Sequence, residues 1–266
     1  MCSWSTCTRV FAPSSKGRSS SVDRDTRYVM LITSLPFHGP LFGAHHTPLS
    51  RLRLEQRLRV LEPEDAHTLR RLTEILDFIH HSMDVTDPEL VRRTLALEAE
   101  LPSEFLRELL RFRMEMRNLL AAQRWRRWGE ARPPGPGWGY GRWVAQIERY
   151  WQEPGFRLER VFPWVSESER LLRSDDSLGL ERLNLSVNWA HLDRMSEGHW
   201  FDFEAVVLYV LRWDLIARWT GQDKDAALGR FDALVEAGLG PHADVLAATG
   251  LAGDAEPQER ASANER

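Results

Sequence analysis

The sequence predicts an all-α, multi-helix bundle, and three observations carry that prediction. Apolar residues recur at helical spacing in at least seven stretches between Leu49 and Leu234. Two stretches, Thr86–Glu89 and Ser166–Glu169, have the spacing of a capping box. Hydrophobic residues make up 42% of the 266 residues, enough for a sizeable core, while no run reads as a set of alternating strands.

Residues 1–27 hold many Ser, Thr and Arg and two acids, Asp23 and Asp25. They read as a disordered extension, or as sequence upstream of a start at Met30, with no secretory apolar core. Tyr28–Thr33 is a short apolar run, expected to be strand-like or extended, and Pro36, Gly39, Pro40, Gly43 and Pro48 mark an irregular segment after it. Leu54, Leu58 and Leu61 form the first helical stripe, ended near Pro63, and Leu69, Leu72, Ile75, Leu76 and Ile79 form the second. Thr86 is expected to open a helix through about Glu98, and Ser103 to cap a long helix carrying Phe105, Leu109, Phe112, Met116 and Leu119.

Pro133–Gly141 breaks the pattern, either as a linker or as an ordered loop pinned by Trp138 and Tyr140. Trp143, Ile147, Tyr150 and Trp151 then share a face. Asp175–Asp176 sits where a helix N-cap belongs, ahead of Leu178, Leu185, Trp189 and Leu192, with closure near Gly198. Phe203–Trp219 is apolar on more than one face and is placed as the most buried helix, with Gly221 as its C-cap and a short helix bearing Ala227, Phe231 and Leu234 after it. The domain reading is an extension over 1–27, a helical domain over 28–240 with a sub-boundary to consider at 130–141, and a flexible tail over 241–266.

The longest wholly apolar run in the helical part, Ala205–Leu211, is far short of the ~20 residues that span a bilayer, so no membrane insertion is expected. Both cysteines, Cys2 and Cys7, precede the helical part, which excludes internal disulfides and thiolate metal sites there. No dinucleotide, phosphate-loop, zinc-protease or nucleophile-elbow motif occurs, so no catalytic residue, cofactor or metal is expected. Of the histidine pairs, His45–His46 and His80–His81, only the second has acids nearby, and an Asp77/His81 pair offers too few ligands for a closed site.

Arg111, Arg113, Arg117, Arg124, Arg126 and Arg127 make the most basic stretch, with Trp125 and Trp128 interleaved. Two readings stand: a nucleic-acid face of phosphate-contacting arginines and stacking rings, or a solvated helix end whose tryptophans pack under the next loop. Glu115 and Glu130 dilute the stretch and the chain carries a net charge of −4, which favours the second and makes nucleic acid an unexpected partner. Arg124, Trp125, Arg126, Arg127 and Trp128 are the candidate interface residues, because Trp and Arg dominate protein hot spots. Arg126→Ala is expected to leave the fold intact.

Two segments carry a resemblance. Residues 28–58 contain an aromatic-apolar run ending in Ser34-Leu35-Pro36. Residues 177–219 contain Trp189, Leu192 and Asp193, then Phe201, Asp202 and Phe203, and finish in Arg218-Trp219. Both resemble an uncharacterised bacterial family encoded among V/A-type ATPase (ATP synthase) genes. The resemblance implies a helical funnel like the central-stalk protein that couples the rotor shaft to the membrane ring in those rotary ATPases. It also implies ATPase subunits as partners, and a cytoplasmic place, peripheral at the inner membrane through the complex. A non-catalytic structural, coupling or assembly role follows from it, with an independent helical regulator or RNA-binding module using Arg111–Arg127 as the alternative.

Overall fold

The computed structural model describes the backbone of residues 26–81 and 86–239, and the side chains of 26–76 and 86–221. Among the described residues there are nine α-helices, two short 3-10 turns and no strand. The helices are α1 (Val29–Ser34), α2 (Arg51–Leu58), α3 (Pro63–His81), α4 (Asp87–Glu100), α5 (Glu104–Arg127), α6 (Val144–Arg149), α7 (Val165–Arg173), α8 (Ser177–Met195) and α9 (Phe203–Leu239). Asp77/His81, Ile79 and the segment beyond 239 lie outside the described side chains or residues.

Helix α5 is the spine, 24 residues and about 36 Å long at 1.5 Å per residue. Ser103 caps it, its hydroxyl accepting from the Leu106 amide. The first half of α5 inserts Leu106, Leu109, Leu110 and Met114 into the main core, shared with α1, α3, α4, α8 and α9. Its second half gives Leu119 and Ala122 to an aromatic core with Trp138, Trp151, Phe156 and Phe162. Met116 and Leu120, on a third face, meet Leu171 of α7 and Leu180 of α8. A helix that meets three clusters carries apolar residues on more than one face, and in α5 these alternate with arginines that reach the clefts and the surface.

The Pro133–Gly141 segment is the ordered loop: Trp138 and Tyr140 are 2% and 3% exposed. Trp138 wedges edge-on between Trp125 and Trp151, at 5.5 and 6.4 Å, and donates to Glu148 Oε1 at 2.9 Å. Buried indoles need such a partner for their N–H.

Four local expectations are corrected. Tyr28–Thr33 is not extended; α1 is a helix, because Tyr28, Leu31, Ile32 and Leu35 recur at helical spacing and turn inward, whereas Met30 faces solvent. A six-residue apolar run does not distinguish the two periods. Thr86 begins α4 but makes no side-chain cap, and the Glu89 carboxylate is drawn to Arg92 and Arg93. Ser166 lies inside α7, whose N-cap is Trp164, and Glu169 turns to Arg126 and to the Gly155 amide. Gly221 does not end the last helix: α9 runs unbroken for 37 residues and absorbs the short helix expected after it. Glycine permits a C-cap but does not impose one when hydrogen-bonded turns continue on both sides.

Candidate functional site

The five candidate interface residues separate into inward and outward groups. Trp125 packs beneath the loop against Trp138. Arg126 is internal: Nη1 donates to the carbonyls of Trp151 (3.1 Å) and Glu153 (2.6 Å), Nη2 pairs with Glu169 at 2.9 Å, and the guanidinium lies 4.7 Å over the Phe156 ring. Arg127 pairs with the exposed carboxylate of Asp175. Arg124 faces a groove between α5, α8 and α9, and Trp128 stands 73% exposed. One turn of helix thus holds both arrangements, with one tryptophan under the loop and the other free.

The remaining arginines of the stretch are also engaged. Arg111 bridges Glu98 at 2.5 Å and Glu104 at 2.6 Å, and Arg117 pairs with Asp87.

A cleft of about 840 Å³ opens where α4, α5 and α8 meet the Tyr140–Arg142 and Val161–Trp164 segments. Its floor is the His191 ring stacked on Phe112, with centroids 3.6 Å apart and planes 11° off parallel. Burial pushes the His191 imidazole down to about 4, and Arg194 and Arg113 add to the effect. It is therefore neutral at physiological pH, and its Nε2 is buried without a hydrogen-bond partner. Glu115, which lines the same cleft, is 6% exposed, and burial raises its carboxyl above the usual range against the pull of Arg142 at 3.3 Å. Tyr140 Oη donates to Glu98 Oε2 at 2.5 Å, and burial raises its pKa further.

A neutral imidazole and a carboxyl held toward its acid form in one cleft can accept and donate protons. The sequence alone marks Glu115 only as a diluent of positive charge and does not single out His191 or Tyr140. The signal is present in part: Phe112 and Leu119 stand three residues before and four after Glu115, so a carboxylate between them is withdrawn from water.

The residues quoted for the resemblance converge on one seam. Tyr209 Oη donates to the Pro36 carbonyl at 2.9 Å, and the Tyr28 amide donates to the Phe201 carbonyl at 2.8 Å. His38 stacks on Tyr209 at 4.0 Å and meets Trp189 edge-on at 6.5 Å. Arg212 lies 5.8 Å over Trp189 and donates to Asp193 at 3.1 Å. Trp219 packs edge-on against Phe42 at 5.0 Å, with Arg182 above both rings. These residues fasten the segment after α1 to the α8–α9 pair.

Asp202 starts α9, its Oδ1 accepting from the Ala205 amide at 2.8 Å and its Oδ2 meeting His199 Nδ1 at 2.5 Å. With Glu204 these form a group whose ligand atoms lie within 4.8 Å of one another, the spacing a metal would need. Both Asp202 oxygens are already engaged, so helix capping accounts for the arrangement. Among the described residues no helix is long and apolar enough to cross a membrane.

No curated protein and no solved structure matches the chain. A family model described as "Protein of unknown function (DUF2764)" matches residues 80–237. That range includes Trp189, Asp193, Phe201–Phe203 and Arg218-Trp219, but not Ser34-Leu35-Pro36, so the matched stretch is shorter than the resemblance read from the sequence. The chain belongs to the DUF2764 family.

Proposed function

We propose that the chain is a non-catalytic structural, coupling or assembly subunit of a V/A-type ion-translocating ATPase, acting by protein–protein contact. The observation that carries this reading is Trp128. It is a large aromatic side chain, 73% exposed, at the end of the longest fully described helix and beside Arg127. Exposed Trp next to Arg is the composition of interface anchors. The resemblance of residues 28–58 and 177–219 to a family encoded among ATPase genes supplies the partner. The seam those residues build also supports a mechanical role, since it fastens distant parts of the chain together instead of lining the main cleft.

The RNA-binding alternative draws less support, because Arg111, Arg126 and Arg127 each hold a carboxylate that a phosphate would have to displace.

Affinity capture of the intact chain from its native cells, with cross-linking and mass spectrometry, tests the proposal. ATPase subunits recovered by the wild-type chain and reduced at least about tenfold by Trp128→Ala, a loss of ~1.4 kcal/mol in binding, are expected. Capture without any ATPase subunit, or capture of RNA in their place, would overturn it.

A further inference from the structure

A second, smaller groove of about 240 Å³ lies between α5, α8 and α9, on a different face from the main cleft. Arg113, Arg117 and Arg124 line it from one side of α5, at spacings that place all three on one helical face. Arg218 enters from α9, and Asn184 and Asn188 from α8.

Two of the guanidiniums are tied from outside the groove. Arg117 Nη2 donates to Asp87, and Arg218 Nη2 donates to Glu181 Oε2 at 2.8 Å. Arg117 Nη1 stays buried with no hydrogen-bond partner, although a charged donor out of water ordinarily finds one.

Arg124 differs from five other arginines of its helix. Arg107, Arg111, Arg117, Arg126 and Arg127 each form an ion pair, whereas Arg124 forms no ion pair or side-chain hydrogen bond among the described residues. The Arg124 residue is exposed to water on one side; on the other, desolvation disfavours its proton most, Glu181 attracts it, and Arg218 and then Arg117 repel it. Like charges held together on two packed helices, α5 and α9, favour an anion between them.

A neutral donor completes the set. Asn184 Oδ1 accepts from Asn188 Nδ2 at 2.9 Å, which leaves the Asn184 amide N–H groups for the groove. We propose that this groove is an oxyanion site that takes a phosphate group. Donors arriving from three helices suit an anion with several oxygens in different directions better than a planar carboxylate, which one guanidinium fork already satisfies. The volume is below the ~300–1,000 Å³ that encloses a whole small molecule, so it fits a free phosphate or the phosphate of something larger. This inference does not depend on the ATPase partner.

The test titrates the intact chain with inorganic phosphate, with pyrophosphate, and with phosphatidylglycerol vesicles against phosphatidylcholine vesicles, at constant ionic strength. Arg124→Gln is the main variant, since that side chain holds nothing else in the fold. Arg53→Gln on α2 removes the same charge elsewhere. Binding of at least one phosphate probe, weakened about tenfold or more (~1.4 kcal/mol) by Arg124→Gln and unchanged by Arg53→Gln, is expected. Response to phosphate or pyrophosphate identifies a soluble source, and response to phosphatidylglycerol alone identifies a lipid headgroup. Binding that Arg124→Gln does not weaken, equal loss with Arg53→Gln, or no binding of any probe up to about 10 mM would sink the proposal.

Discussion

Arg126 and Glu169 form an ion pair at 2.9 Å with side chains only 16% and 17% exposed, and together they clamp a left-handed turn. The turn is Gly155–Arg157, where three successive residues have φ of 56°, 55° and 57°. Non-glycine residues pay roughly 1–2 kcal/mol each for that region, so something must hold Phe156 and Arg157 there. Arg126 gathers the carbonyls just before the turn, and Glu169 Oε2 accepts from the Gly155 amide at 3.2 Å. Gly155 suits the first position, because its φ of 56° strains residues with a side chain and a Cβ there would push the Glu159 carboxylate aside.

Arg126→Ala should therefore destabilise the protein, contrary to what a surface arginine would do. Removing one partner leaves Glu169 and two carbonyls short of donors, at a cost of about 3 kcal/mol. Urea denaturation with matched slopes measures it; a change below about 0.5 kcal/mol would mean the clamp is idle.

Val210→Asp should abolish soluble folded protein. Val210 is 6% exposed in α9, between Val206 and Val207 on one side and Leu211 on the other, all buried. An unpaired carboxylate there costs several kcal/mol against a total stability of ~5–15 kcal/mol. Soluble expression with wild-type melting would show that this face of α9 is open to water.

Stability should fall as pH drops from about 6.5 toward 4. Burial lowers His38 and His191 to about 4, whereas unfolded histidine titrates near 6.5. Between those values the unfolded chain binds more protons, so protonation favours unfolding; above 6.5 the contribution is constant. Each histidine can contribute on the order of 3 kcal/mol over the window. Glu115, raised by burial, acts in the opposite direction, but as one group against two. Melting temperature against pH for wild type and His191→Gln checks this: the variant should lose part of the slope, and identical slopes would remove His191 from the account.

Tyr209→Phe should cost about 1 kcal/mol, the value of one hydrogen bond, and should expose the segment between α1 and α2 to proteolysis. The lost contact is the one to the Pro36 carbonyl, 173 residues away in sequence. Limited proteolysis with no new cleavage between residues 35 and 50 would show that the remaining contacts of His38 and Phe42 suffice.

By itself the sequence determined the helical class, the order of the helices and most of the core. Helical spacing is local, and Leu72, Leu106, Leu109 and Leu119 are buried for the reason their spacing announces. The Ser103 and Asp176 caps were legible for the same reason, since a cap bonds within three residues. What tertiary structure decided is which partner a polar group finds when a distant one competes with a local one. Glu169 left its capping position for Arg126, Glu89 left Thr86 for two arginines, and Trp125 went under a loop while Trp128, three residues on, stayed out. The two grooves belong to the same category, because His191 meets Phe112, and Arg218 meets Arg124, only when α5, α8 and α9 pack. Periodicity tells which face of each helix turns inward, but the pairing of faces depends on contacts between residues far apart in the chain, and no local pattern encodes those.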